Sequence, residues 1–184
     1  MLKIIGGRFK GAKLLLPDEN ITRPTSNRAR EALFNCLFSL DFHTNAIHVI
    51  DGFAGSGAMG LEFLSRGAAL CTFIEKAPSV QAILRSNIRK LKLEHQSLVL
   101  SNFDRATRPA HFIFLDPPYF EYTHEMPLYA YALEKLKKNY LPETLIVIET
   151  DKSEKLSISS LQLLFEKIYG TIKLSFFKPI FLKN

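Results

Sequence analysis

From residue 46 onward the chain alternates two apolar patterns. Short, nearly unbroken apolar runs (Ile47-His48-Val49-Ile50, Leu70-Cys71-Thr72-Phe73-Ile74, Leu98-Val99-Leu100, Phe112-Ile113-Phe114-Leu115) are separated by stretches in which apolar residues recur every three or four positions. The first pattern suits strands covered on both faces; the second suits helices with one face in a core. It predicts strands at 47–51, 70–75, 98–101, 112–115 and 145–149, with the runs at 98–101 and 112–115 buried on both faces. Helices are expected through 59–65, over 78–91 and over 128–138. The connection 102–110 is short and holds Pro109, leaving room for barely one helical turn. Strands alternating with helices imply an open, mostly parallel sheet. Residues 165–169 and 171–177 flank Gly170 as a hairpin, which adds an antiparallel strand at or near one edge.

Upstream the pattern changes. Residues 2–16 alternate loosely around Gly6-Gly7 and Gly11, as in a β-hairpin, and 17–24 reads as a loop. Thr25 is placed to cap a helix reaching about residue 39, with Ala29, Leu33, Phe34 and Leu37 as its apolar stripe. The chain therefore divides into a hairpin-and-helix extension, 1–45, and an α/β domain, 46–184. No repeat or long linker interrupts it.

Composition narrows the setting. The chain has 184 residues, 47% hydrophobic and 23% charged, enough for a real core. No apolar run approaches the ~18–20 residues that span a bilayer, and the first residues lack a secretion signal. Two cysteines, Cys36 and Cys71, make no disulfide framework, so a reducing cytoplasm is expected, with no membrane and no obligate protein partner. The net charge of +6 is uneven: residues 1–45 and 151–184 carry the excess of cations, while 46–150 balance. Basic margins on a neutral centre suit a domain that grips a polyanion, with Arg8, Lys10, Lys13, Arg23 and Arg28, and the C-terminal Lys173 and Lys178, as phosphate contacts. Solvated charge for solubility is the plain alternative.

The first expected strand of the domain runs into Asp51-Gly52-Phe53-Ala54-Gly55-Ser56-Gly57-Ala58-Met59-Gly60. Gly55, Gly57 and Gly60 match G-x-G-x-x-G between a strand and a helix, where glycines allow a tight turn and close backbone approach to a ligand. Alone this fits NAD, FAD, S-adenosylmethionine or a mere turn. Two acids sharpen it. Glu75 ends the next strand, where a carboxylate can accept hydrogen bonds from both ribose hydroxyls. Asp51, just before the turn, would repel a pyrophosphate but attract an ammonium or sulfonium. The loop residues Phe53, Gly55, Ser56 and Gly57, with Asp51 and Glu75, are thus candidates to hold S-adenosyl-L-methionine.

The strand at 112–115 runs into Asp116-Pro117-Pro118-Tyr119. An exocyclic base amine is a poor nucleophile because its lone pair is delocalised into the ring. Two acceptors on its N–H groups hold it and turn the lone pair outward. Asp116 offers a carboxylate and Pro117 a carbonyl; consecutive prolines leave no N–H to compete. Tyr119 offers a face on which a flipped-out base stacks. A C5 methyltransferase would need a cysteine nucleophile, and neither cysteine lies near a site loop. The five histidines lack metal-ligand spacing, so no metal is expected.

With both motifs in place, the chain resembles the RsmD-type family of 16S ribosomal RNA guanine-N2 methyltransferases. Ile4-Ile5-Gly6-Gly7, Arg23-Pro24-Thr25 and Arg28-Ala29-Arg30-Glu31-Ala32-Leu33-Phe34-Asn35 look like its N-terminal signature. The resemblance implies a Rossmann-like class I methyltransferase sheet of seven strands, the last antiparallel, preceded by a hairpin and helix. It implies that Arg30, Glu31 and Asn35 border the cofactor or support the active site. It also implies that Asn102, with Phe103, lies beside the adenine ring, with Asp104 as the alternative contact. The implied partner is 16S ribosomal RNA, in the small subunit or an assembly intermediate. Gly52 departs from the family, which usually has a larger apolar residue there. Three rivals stay open: an adenine-N6 or cytosine-N4 enzyme with the same Asp-Pro-Pro-Tyr motif, a non-catalytic RNA-binding protein on this fold, and an NAD-dependent oxidoreductase.

Overall fold

Strand β1 (His48–Gly52) pairs in parallel with β2 (Leu70–Ile74) on one side and β4 (Ala110–Leu115) on the other. The computed structural model describes residues 2–17, 27–118, 122–123 and 126–181. Outside β2 lies β3 (Ser97–Leu100), and outside β4 lies β7 (Tyr140–Asp151), both parallel to their neighbours. Strand β9 (Ile172–Pro179) pairs antiparallel with β7, and β8 (Leu161–Tyr169) antiparallel with β9. The seven strands run in the order β3-β2-β1-β4-β7-β9-β8, the mostly parallel Rossmann-like sheet that the resemblance implies. Two two-residue strands, β5 (Tyr122–Thr123) and β6 (Met126–Pro127), pair apart from it. The chain moves outward through β1, β2 and β3, then returns to the far side of β1 as β4. That reversal opens a crevice at the C-terminal ends of β1 and β4, where open α/β sheets bind ligands.

Alternation along the strands sends side chains to two cores. Val49, Phe73, Phe112, Phe114 and Val147 face α1 (Asn27–Ser39), α2 (Ala58–Ser65) and α3 (Pro78–Lys90). Ile50, Ile113, Leu115, Ile146 and Ile148 face α4 (Leu128–Leu136). Leu2, Ile4 and Leu14 of the extension belong to the first core, so extension and domain share it. Among the described residues no helix is long and apolar enough to cross a membrane.

Three expectations change. β3 is not buried on both faces: it is the outermost strand, pairs only with β2, and leaves Leu98 38% exposed. β7 is far longer than 145–149. It begins with Tyr140 opposite Ala110, and a register shift between Ala110 and Phe112 lets Pro142 sit where no ladder bond is asked of it. Residues 2–16 form a hairpin held by one bridge, Lys3–Lys13, with a 3₁₀ turn at Gly7–Phe9 inside it. The short connection does hold a single 3₁₀ turn, Phe103–Arg105. Thr25 lies outside the described residues.

The hairpin is fastened by a charge in the core. Glu62 of α2 is fully buried and accepts from four donors: the N–H groups of Ile5 (2.8 Å) and Gly6 (2.7 Å), Arg30 Nη1 (3.2 Å) and Arg66 Nε (2.9 Å). Arg30, also fully buried, donates from Nη2 to the Lys3 carbonyl at 2.8 Å. Burial lowers the Arg30 pKa from its ordinary value, and Glu62 beside it opposes that shift. Ser65 donates to the Gly6 carbonyl (2.6 Å) and accepts from the Phe9 N–H (3.0 Å). Breaking a buried pair by removing one partner strands the other charge, at about 3–5 kcal/mol. Glu62→Ala is therefore expected to lose about that much in urea unfolding, while Arg66→Ala, at the half-exposed end, loses about 1 kcal/mol or less. Equal, small losses in the two variants would show that the carboxylate does not hold the extension.

Candidate active site

The candidate residues gather at one edge of the sheet because each is carried by the C-terminal end of a parallel strand. Asp51 is in β1, Glu75 follows β2, Asn102 follows β3, and Asp116 follows β4. The Asp116 N–H points to the Gly52 carbonyl at 3.5 Å, which ties the two strand ends across the crevice.

The turn from β1 to α2 makes the cradle. Gly57, its last residue, has φ +81°, and a Cβ there would lie 2.3 Å from Leu84 Cδ1. Both conformation and space demand glycine. At Gly55 a Cβ would meet nothing within 4 Å, so this side of the turn faces open space. Phe53 holds φ +65°, rare for a bulky residue and a form of strain that clusters at ligand sites. Its ring stands edge-on to Phe103, centroids 5.2 Å apart. Ser56 is buried, and its carbonyl accepts from Asn87 Nδ2 of α3 at 2.9 Å. Asn87 also bonds both backbone groups of Leu15, so the extension is stitched to the cradle as well.

Glu75 is held in place by backbone. Its Oε2 accepts from the Gly55 N–H (3.0 Å) and its Oε1 from the Ala77 N–H (2.8 Å), while Gln81 donates to its carbonyl (2.6 Å). Each oxygen keeps a lone pair for a further donor, such as a ribose hydroxyl. Asp51 is buried and accepts from the Gly60 N–H in the first turn of α2 at 2.8 Å. Burial pushes its carboxyl up to about 8; the Gly60 bond opposes this, and the charges of Asp116 and Glu75 add to it. Two carboxylates and the Asp51 carboxyl, which a nearby cation would help to ionise, thus share one field. A ligand carrying an ammonium and a sulfonium fits that field and a pyrophosphate does not.

Asp116 is half-buried, Pro117 buried and Pro118 exposed. Tyr119, Arg23 and His124 lie outside the described residues. Asn102 is exposed and caps its 3₁₀ turn, its Oδ1 accepting from the Arg105 N–H at 3.2 Å. Asp104 pairs with Lys135 of α4 at 2.9 Å, so its carboxylate is turned toward that helix. Phe103 is buried, and its ring stands beside residue 52. A Cβ on Gly52 would meet Leu115 Cδ2 at 2.5 Å and Phe103 Cε1 at 3.2 Å, so neighbouring side chains already fill that space.

Other candidates fall elsewhere. Arg30 is buried beneath the hairpin, where it bonds Glu62 and the Lys3 carbonyl. Glu31 and Asn35 are exposed on α1. Arg8, Lys10, Lys13 and Arg28 are exposed. Arg8 reaches Gln96 at the start of β3, and Gly6 and Phe9 rest on Ser65 at the end of α2. The hairpin tip therefore sits at the opposite edge of the sheet from Asp116. Lys178 is exposed, but Lys173 is buried, donating to the Glu154 carbonyl (2.6 Å) and pairing with Glu166 (3.3 Å), so it is not placed to meet a phosphate. Glu62 and Asn87 were not anticipated. The available signal was Glu62 itself, the one charge in the otherwise apolar Ala58–Ser65 helix.

Comparison with known proteins gives consistent results. The family described as conserved hypothetical protein 95 matches residues 2–178. Ribosomal RNA small subunit methyltransferase D of Haemophilus influenzae is 35% identical over 182 residues, covering 93% of this chain and 90% of that protein. The protein of the same name from Escherichia coli is 41% identical over 122 residues, 64% of this chain; the match spans only 60% of that relative's length. A solved Escherichia coli structure with a provisional methyltransferase name superposes with a TM-score of 0.80 at 31% identity, covering 97% of both chains.

The Asp51 environment makes a prediction about stability. Between about 4 and about 8 the folded chain keeps a proton on Asp51 that the unfolded chain releases. Stability therefore falls through that window as pH rises, by at most about 1.4 kcal/mol per unit. Asp51→Asn keeps an acceptor for Gly60 and removes the ionisation. Its melting temperature is expected to gain on the unsubstituted protein steadily from pH 5 to pH 8. A difference that does not vary with pH would mean that Asp51 is not buried as a strained acid.

Proposed function

Because the chain belongs to the conserved hypothetical protein 95 family, the RsmD-type family of ribosomal RNA methyltransferases, we propose that it transfers a methyl group from S-adenosylmethionine to the exocyclic N2 of a guanine in 16S ribosomal RNA. The observation that carries the chemistry is Asp116-Pro117 at the end of β4, tied to β1 beside the carboxylate-lined cradle. The Haemophilus influenzae relative, named for a small-subunit ribosomal RNA methyltransferase, supports the substrate class.

The cofactor supplies, when bound, a methyl group made electrophilic by a sulfonium. Glu75 would hold the ribose hydroxyls, and the turn from Phe53 to Gly57 would admit the methionine part. The field of Asp51, Glu75 and Asp116 favours its cationic groups. Asn102 and Phe103 would wall the adenine, since Asp104 is engaged by Lys135. Asp116 accepts one N–H of the guanine amine and the Pro117 carbonyl accepts the other. That holds the amine in plane with its acceptors and turns its lone pair toward the electrophile. Positioning of this kind supplies most of the rate of an in-line transfer. The amine becomes acidic once alkylated and gives up its proton without a strong base. Tyr119, next in sequence, would stack on the flipped base.

Replacing Asp116 by Ala removes an interaction made with the acceptor. The rate constant of methyl transfer in single turnovers is expected to fall by at least two orders of magnitude, with S-adenosylhomocysteine affinity changed only a few-fold. Near-normal turnover would take Asp116 out of the mechanism.

Asp116-Pro117-Pro118-Tyr119 accepts any exocyclic amine, so product identity is a separate test. Unmodified small subunits and naked RNA, treated with enzyme and labelled cofactor and digested to nucleosides, should yield N2-methylguanosine alone, with the particle the better substrate. Label in N6-methyladenosine or N4-methylcytosine would assign the enzyme to another base. Cofactor binding with no labelled RNA or DNA would favour a binding protein.

A further inference from the structure

The charge balance of the middle of the chain hides a segregation that the fold brings to the surface. Residues 76–93 carry Lys76, Arg85, Arg89, Lys90 and Lys92 and no acid. Residues 2–17 carry Lys3, Arg8, Lys10 and Lys13 and no acid. All nine side chains are exposed. They leave fifteen of the 24 Lys/Arg against all eighteen Asp/Glu, so the rest of the molecule is net negative.

The two segments lie against one another. Lys90 Nζ donates to the Lys13 carbonyl at 2.7 Å, Arg8 to Gln96 just beyond α3 at 2.5 Å, and Asn87 of α3 grips Leu15. On α3 the buried residues are Val80, Leu84, Asn87 and Ile88. Arg85 and Arg89 share the opposite face by helical spacing, Lys90 flanks it on the hairpin side, and Lys92 follows just past the helix end. Elsewhere five cations pair with carboxylates: Arg30 and Arg66 on Glu62, Lys135 on Asp104, Lys137 on Glu134, Lys173 on Glu166. Among the described residues none of the nine forms an ion pair. Nine exposed cations without an ion pair, with Glu94 as the one acid at their border, are the footprint of a polyanion.

Resting on the ribosomal RNA function above, we infer that the outer face of α3 and the N-terminal hairpin form one phosphate track for the substrate RNA. It runs about 20 Å along α3, from Lys76 beside the cradle to Lys92 at the far edge of the sheet. Arg85 and Arg89 suit bidentate phosphate contact, while the lysines act as point charges. A groove between α3 and β3, lined by Arg85, Arg89, Ser97 and Glu94, gives the track its outer border. The track leads away from Asp116, so it engages RNA remote from the methylated base. A short oligonucleotide filling the active site would not reach its end.

The test compares two triple variants of the full chain. One removes Arg85, Arg89 and Lys92 by change to Ala; the other removes the exposed Lys152, Lys155 and Lys167 of the C-terminal region. Binding to a 16S ribosomal RNA transcript is measured against salt, with S-adenosylhomocysteine calorimetry and thermal unfolding as checks on the fold. The α3 variant should lose about ten-fold or more in affinity near 0.15 M salt. Its slope of log affinity on log salt should fall by about 0.7–0.9 for each phosphate it no longer neutralises. Its KM for RNA should rise with kcat unchanged, as for uniform binding. The C-terminal variant should match the unsubstituted protein. Equal affinity and slope in the α3 variant, or equal losses in both variants, would overturn the track. Failure of the unsubstituted protein to bind the transcript would instead overturn the ribosomal RNA function on which the track rests.

Discussion

A carboxylate with no access to water is tolerable only if protein supplies what water would have done. Glu62 meets that condition with four donors drawn from the hairpin, α1 and its own helix. The same helix is capped by Gly57, the end of the turn proposed to hold the cofactor. One buried charge therefore fixes how the N-terminal extension sits relative to the cradle. Ser65 and Asn87 repeat the device further along α2 and on α3, each time with a buried side chain bonding extension backbone. Such satisfied polar contacts are directional in a way that apolar packing is not. The extension can thus act as part of the catalytic body and not as a tethered arm.

The molecule also keeps its charges apart. The acids Asp51, Glu75 and Asp116 converge on the crevice, while nine exposed cations line α3, its flanks and the hairpin. A phosphate is repelled by the first surface and drawn to the second, while a neutral base is indifferent to the carboxylates. In the proposed function, placement of the RNA backbone and entry of the base would therefore fall to different surfaces.

Much of this was legible in the sequence. The strand-ending positions of Asp51, Glu75 and Asp116 and the turn at Gly55 and Gly57 follow from local pattern, because parallel strands buried on both faces leave unbroken apolar runs. Local pattern does not reveal a strand's neighbours. Leu98-Val99-Leu100 looks like a central strand but is half-exposed, because nothing pairs beyond β3. The length of β7 depends on Ala110 and on β9, both distant in sequence. Arg30 is expected at the cofactor or active site and Lys173 at a phosphate, and the buried partners of both, a carboxylate or carbonyl, come from elsewhere in the chain. Segment-wise charge counts missed the grouping of α3 with the hairpin for the same reason: the sum was right and the geography was absent.

Gly52 shows how such a fold limits its own later changes. The volume beside it has been claimed by Leu115 and Phe103, and Phe103 in turn leans on Phe53 and Tyr131. A larger residue at 52 would press on those side chains and force them to shift. Shrinking Phe103 first would open a void beside the cradle, and enlarging residue 52 first would force a clash. The route between the two packings passes through a worse protein in either order. Residue 52 and Phe103 are therefore constrained to change together.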